Sequence, residues 1–139
     1  MIIDSSVIVK LVLREPGSDY AYEVLREAGI HGEELSTPDI ALPETLNAIW
    51  RHHKLLKDID EPAYREATKD ALKLWNTLRT YETREIAIDA CEIAIKTQTT
   101  IYDALYLALT RKLNSKLFTF DRKMIEIAKN LKIETLPIK

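Results

Sequence analysis

The stretch from Thr100 to Asp121 places the tightest constraint on the fold, because a helical segment is followed there by an apolar strand that ends on an acid. Ile101, Ala104, Leu105, Ala108 and Leu109 recur at helical spacing, with Asp103 in the first turn and off that stripe. Leu117–Phe120 then reads as a strand, and Asp121 stands where it runs out. The start of the chain repeats the pattern: Ile2 and Ile3 make a minimal strand, and Asp4 follows at once. Strands joined through helices pair parallel, and open parallel sheets gather their ligands at the carboxyl ends of the strands. With the two strands as neighbours, Asp4 and Asp121 face one crevice and a helix at its rim adds Asp103. Such a pocket calls for a cation.

The remaining elements fit the same plan. Val7, Ile8, Leu11 and Val12 share a helical face that Glu15-Pro16-Gly17 stops. Ser18 or Asp19 can cap a second helix reaching Arg26, and Leu35–Thr37 is a short strand. Pro38 and Pro43 bracket the entry to a helix with Leu46, Ile49, Trp50 and His53 on one face and Glu44, Asn47, Arg51 and Lys54 on another. Asp58 to Pro62 opens a helix carrying Tyr64, Ala67, Ala71, Trp75 and Leu78, expected to run close to Thr80. Arg84 to Ile88 is either a short strand or the entry to a helix containing Ala90, Cys91, Ala94 and Ile95. A helix after Asp121 and a last strand, Ile133–Leu136, complete the order β-α-α-β-α-α-(β)-α-α-β-α-β. That order predicts a three-layer α/β/α sandwich with a mostly parallel central sheet.

At 139 residues the chain is expected to be one domain, residues 1–139, with no repeats. Hydrophobic residues at 46% and charged residues at 30% are ordinary globular values, and no apolar run approaches a membrane span. No export signal precedes the first strand, so a cytoplasmic protein is expected. Cys91 is the only cysteine, which removes an internal disulfide or a thiolate cage and leaves oxygen ligands. A net charge of −2 argues against coating nucleic acid by bulk electrostatics, but not against a nuclease whose own acids cancel a basic rim. Arg51, Lys54, Lys57, Arg111, Lys112, Lys116, Arg122 and Lys123 are available for such a rim, although most such residues only solvate a surface. His31, His52 and His53 lack metal-ligand spacing and read as surface or interface residues. Trp50, Tyr64 and Trp75 are more large aromatics than two surface helices should expose, which points to a homodimer.

Each acid also has a plain local explanation. Asp4 and Asp121 can be N-caps, Asp103 completes a capping-box-like Thr100-x-x-Asp103, and Glu44 can be a solvated helix residue. Their coincidence shifts the balance, since two end strands, two lie in helix first turns, and one crevice can hold all four. Hard divalent ions take several oxygen ligands, and Mg²⁺ keeps waters that a phosphate can displace. Ser5, Ser6 and Thr119 are hydroxyls placed to orient Asp4 and Asp121.

The opening Ile-Ile-Asp-Ser-Ser-Val-Ile-Val-Lys, the Pro-Glu-Thr-Leu-Asn-Ala helix, Tyr-Asp-Ala-Leu-Tyr-Leu-Ala-Leu and Thr-Phe-Asp-Arg-Lys, in that order, resemble the PIN-domain nucleases, in particular VapC-type toxins. The likeness covers nearly the whole chain, apart from the middle helices from Asp60 to Thr80. It implies a Mg²⁺- or Mn²⁺-dependent endoribonuclease of a type II toxin–antitoxin module, with RNA as substrate and a VapB-type antitoxin as inhibitor. The family's metal-binding acids fall on Asp4, Glu44, Asp103 and Asp121, and its supporting hydroxyls on Thr119 and Ser6. Two other classes compete. A PIN-fold RNA-binding or RNA-processing protein could keep the acids without turnover. A haloacid-dehalogenase-like phosphotransferase would use Asp4 as nucleophile but needs a second Asp where Ser6 stands.

Overall fold

A computed structural model describes residues 1–138; Lys139, the last residue of the expected domain, lies outside the described residues. The elements are β1 (Ile2–Ile3), α1 (Ser5–Val12), α2 (Ser18–Ile30), β2 (Ser36–Pro38), α3 (Ala41–Arg51), α4 (Glu61–Trp75), β3 (Arg79–Tyr81), α5 (Thr83–Thr97), α6 (Ile101–Lys112), β4 (Leu117–Phe118) and α7 (Arg122–Asn130). A single π-helical turn, His52–Leu56, continues α3. The strands pair parallel in the order β3-β2-β1-β4 with helices on both faces, which is the expected three-layer α/β/α arrangement.

Register sets the geometry of everything that follows. Ile2 pairs with Leu117 and Ile3 with Phe118, so the residues after these strands, Asp4 and Thr119, lie side by side. The chain leaves β1 toward β2 and β3, then returns to β4 on the other side of β1. The β1/β4 boundary is therefore the switch point where a crevice opens at the strand ends.

The main core gathers Ile2, Ile3, Val7, Ile8, Leu105, Leu107, Leu109, Leu117 and Phe118 around the sheet. A second cluster, Val9, Leu13, Ile49, Ala67 and Ala71, joins α1, α3 and α4. Helix α6 departs from the expected stripe: every residue from Ala104 to Thr110 is buried, while Ile101 is exposed. It packs on β1, β2 and β4 on one side and on α5 on the other, which explains its near-continuous apolar run.

Several boundaries also differ from expectation. Helix α4 stops at Trp75, and the following strand is Arg79–Tyr81, upstream of the Arg84–Ile88 segment that was ambiguous. This edge strand pairs only with β2 and is largely exposed, so it carries no apolar signature. Ile133–Leu136 is not a strand; Thr135 makes one parallel bridge to Leu117 before Pro137. The residue capping α2 is Gly17, not Ser18 or Asp19. Its φ of +97° is open to glycine, and a Cβ there would meet Phe120 Cε1 at 3.0 Å. Ser18 instead accepts from the Glu15 amide and donates to the Leu13 carbonyl. Pro43 lies in the first turn of α3 and does not kink it. Of the three aromatics expected at the surface, only Trp50 is exposed; Tyr64 stacks on His53 and Trp75 packs against the main core.

Thr45, on the buried face of α3, is 1% exposed and its hydroxyl has no hydrogen-bond partner. Leaving such a group dry costs about 1 to 3 kcal/mol. Thr45→Val should therefore raise the free energy of urea unfolding by about 1 kcal/mol at unchanged m-value.

Candidate functional site

The centre of the site is the Asp4 carboxylate, 2% exposed between β1 and α1. Its Oδ1 accepts from Ser6 Oγ at 2.5 Å and from the Val7 amide at 3.1 Å, the latter capping α1. Its Oδ2 accepts from Thr119 Oγ1 on the neighbouring strand end. The same two hydroxyls accept in turn: Ser6 from the Phe120 amide and Thr119 from the Asp121 amide, each at 3.0 Å. Ser6 and Thr119 thus lie where their position in the sequence suggested. Burial raises the Asp4 pKa to about 6 against these hydrogen bonds, with the charge of Asp121 adding to the rise.

The other acids come from three helix starts. Asp121 caps α7, accepting from the Lys123 and Met124 amides through Oδ1. Asp103 sits in the first turn of α6, where its amide donates to Thr100 and its Oδ2 lies 3.4 Å from Thr99 Oγ1. Glu44 is in the first turn of α3, half-buried, and accepts from Tyr106 Oη at 2.5 Å. Burial raises the Glu44 pKa; the Tyr106 hydrogen bond opposes this, and the nearby Asp103 charge adds to it.

The acids accordingly interact as two pairs, Asp4 with Asp121 and Glu44 with Asp103. Tyr106, whose hydroxyl is pushed well above its ordinary range by burial, feels the charges of both Glu44 and Asp4. Among the described residues, no three His, Cys, Asp or Glu side chains are grouped closely enough to hold a metal ion by themselves. No Lys, Arg or His among the described residues forms a salt bridge with any of the four acids. An all-oxygen, unneutralised donor set of this kind suits a hard divalent cation that keeps part of its water shell.

A cleft of about 430 Å³ runs beside Asp121 and Ser6, bounded by Lys10, Glu15, His52 and Phe120. The π-turn brings His52 to this wall, where Nδ1 lies 2.9 Å from Asp58 Oδ2. Of the basic residues expected to form a rim, Lys116 pairs with Glu33 and Lys112 caps the Glu85 carbonyl, whereas Arg122 and Lys123 are exposed directly after Asp121.

Sequence reasoning passed over two relevant residues. Asp39 also ends a strand, β2, yet its carboxylate is taken up by the Thr83 amide and hydroxyl at the start of α5. Tyr106 is the second; its ring is buried where α6 packs between the sheet and α5, and a buried tyrosine hydroxyl demands an acceptor.

A family model described as the PIN domain matches residues 1–130. The chain belongs to the PIN-domain family. It is of the VapC type: it is 33% identical over 128 residues to a ribonuclease VapC3 of Pyrobaculum aerophilum, covering 91% of this chain and 92% of that one. Solved PIN-fold structures agree in architecture. VapBC2 of Rickettsia felis, bound to a DNA fragment from their promoter, matches at a TM-score of 0.71 and 14% identity over 98% of each chain. Mycobacterium tuberculosis VapC20, a sarcin-ricin loop cleaving toxin, matches at 0.65 and 16% identity, covering 90% of this PIN domain and 92% of that chain.

The buried Asp4 of this PIN domain makes stability depend on pH with a definite sign. Its folded-state pKa lies above the ordinary 3.8, so its contribution is fully present below pH 3.8 and is lost as pH rises through 6. The loss amounts to about 3 kcal/mol. In chelator, Asp4→Asn should lack this decline and exceed the wild type in stability at pH 7.5; urea titrations at pH 4.5 and 7.5 test it.

Proposed function

We propose that this chain is the toxin of a type II toxin–antitoxin module, a single-domain, divalent-metal-dependent endoribonuclease acting in the cytosol. The observation that supports the proposal is two pairs of acids, Asp4 with Asp121 beyond the ends of β1 and β4 and Glu44 with Asp103 at the starts of α3 and α6, none with a basic partner among the described residues, in a chain similar along its length to a VapC ribonuclease. Among the described residues no helix is long and apolar enough to cross a membrane.

In this reading Asp4, Glu44 and Asp103 hold the cation directly or through water, and Asp121 holds a second ion or orients the attacking water. Mg²⁺ or Mn²⁺ bound there supplies charge neutralisation for the phosphodiester and a lowered pKa for the attacking water. Ser6 and Thr119 fix the Asp4 carboxylate so that it cannot rotate away from the crevice. Arg122 and Lys123 stand where the RNA backbone would approach. The phosphotransferase reading lacks the second Asp it needs, since Ser6 stands at that position and its hydroxyl donates to Asp4 Oδ1.

With RNA and purified protein, Mg²⁺ or Mn²⁺ should give cleavage that chelator abolishes, and Asp4→Asn or Asp103→Asn should lower the rate at least 100-fold. Cleavage unaffected by both substitutions would refute the assignment of the site.

An amphipathic VapB-type segment would fit the groove of about 440 Å³ among α1, α2 and α4, where Leu11, Val12, Leu25 and Leu74 lie beside Arg26 and Asp70. A basic side chain following that segment would neutralise the acids and block the site. A homodimer is proposed through α5, where Ile88 and Ile95 are 80% and 76% exposed and two turns apart. Light scattering should return twice 16.0 kDa for the wild type and a single-chain mass for Ile88→Asp/Ile95→Asp.

A further inference from the structure

Tyr106 is among the largest side chains that α6 buries, and at 1% exposure its hydroxyl cannot reach bulk water. Buried hydroxyls need a partner, and this one reaches across to a different helix to find it in Glu44 Oε1. The Ser5 hydroxyl lies against the same pair. A glutamate in the first turn of a helix otherwise samples several rotamers, and holding it in one costs side-chain entropy. The Tyr106 bond meets that cost before any ligand arrives. It also ties α3 to α6, one turn beyond Asp103, so the two acids that sense each other's charge are held by one strut.

We infer that Tyr106 is a positioning residue for the cation site: its hydroxyl orients the Glu44 carboxylate toward Asp103 and leaves Oε2 outside the Tyr106 bond for ligation. The inference rests on the metal-dependent reading above. Packing alone would require only the ring, which Phe supplies at the same volume. Hydroxyl removal therefore separates orientation from core filling.

The decisive measurement is Mn²⁺ affinity without RNA, by calorimetry, for the wild type, Tyr106→Phe, Glu44→Gln and the double variant, each with a thermal melt in chelator to confirm folding. Tyr106→Phe should weaken Mn²⁺ binding about five- to tenfold while the protein still unfolds cooperatively in chelator, with a small drop in melting temperature from the lost bond between α3 and α6. RNA cleavage should drop at limiting Mn²⁺ and recover at saturating Mn²⁺. On the Glu44→Gln background the same substitution should add no further loss, because the hydroxyl acts through Glu44. Unchanged Mn²⁺ affinity in Tyr106→Phe, or an equal loss on the Glu44→Gln background, overturns the role of Tyr106 while leaving the metal site standing. A wild type that binds no Mn²⁺ overturns both.

Discussion

The structure depends on one buried carboxylate. Asp4 takes a backbone N–H from α1 and hydroxyls from Ser6 and Thr119, and those hydroxyls take the backbone N–H groups of Phe120 and Asp121. This chain of bonds joins the end of β1 to the end of β4, two strands only two residues long. Strands that short have little ladder of their own, so the register that aligns Ile3 with Phe118 is reinforced by the side chains just beyond it. The same bonds set the direction of the Asp4 carboxylate, so the groups that hold the sheet together also shape the crevice. Desolvation is the cost, visible in a pKa displaced upward despite three hydrogen-bond donors.

Much of this was legible because the signals are local. An apolar dipeptide followed by Asp-Ser-Ser places Asp4 at a strand end without knowledge of the rest of the chain; Leu-Phe-Thr-Phe-Asp does so less well, because β4 ends at Phe118 and not at Phe120 and leaves Asp121 three residues beyond it as the cap of α7. Asp60 with Pro62 likewise announces the start of α4, and Asp60 does cap the Ala63 amide. What stayed hidden depends on neighbours. Asp39 directly follows β2 as Asp4 follows β1, and only the approach of Thr83 shows that its carboxylate is taken up by the first residue of α5. Strand β3 is three residues, mostly exposed, and held by pairing with β2. The all-round burial of α6 follows from its place between sheet and α5, which periodicity in one segment cannot reveal.

The π-turn illustrates a further limit. His52–Leu56 contains no glycine or proline, yet the helix widens there, and Lys57 ends it in the left-handed region at φ +56°. Widening carries His52 to the wall of the cleft beside Asp121 and lets His53 stack on Tyr64 and meet the Ile59 carbonyl. Such turns recur at functional sites because they redirect a side chain without ending the helix. Here His52 pairs with Asp58 across the turn.

Each of the four acids holds a helix-terminal position in the folded chain. Asp4 and Asp121 are the N-caps of α1 and α7, while Asp103 and Glu44 occupy the first turns of α6 and α3. Four helices thus direct their positive ends toward the four acids, each helix terminus favouring a nearby negative charge by about 0.3 to 1 kcal/mol. Repulsion within a close carboxylate pair in a partly solvated site is about 1 kcal/mol or more. The two effects are of similar size, which is how acids with no basic partner among the described residues can persist within a stable fold. The offset is partial by nature, because the helix ends act on each acid singly while repulsion acts on pairs. Asp4 is the most buried member, and desolvation, more than the Asp121 charge, holds its pKa above the ordinary range.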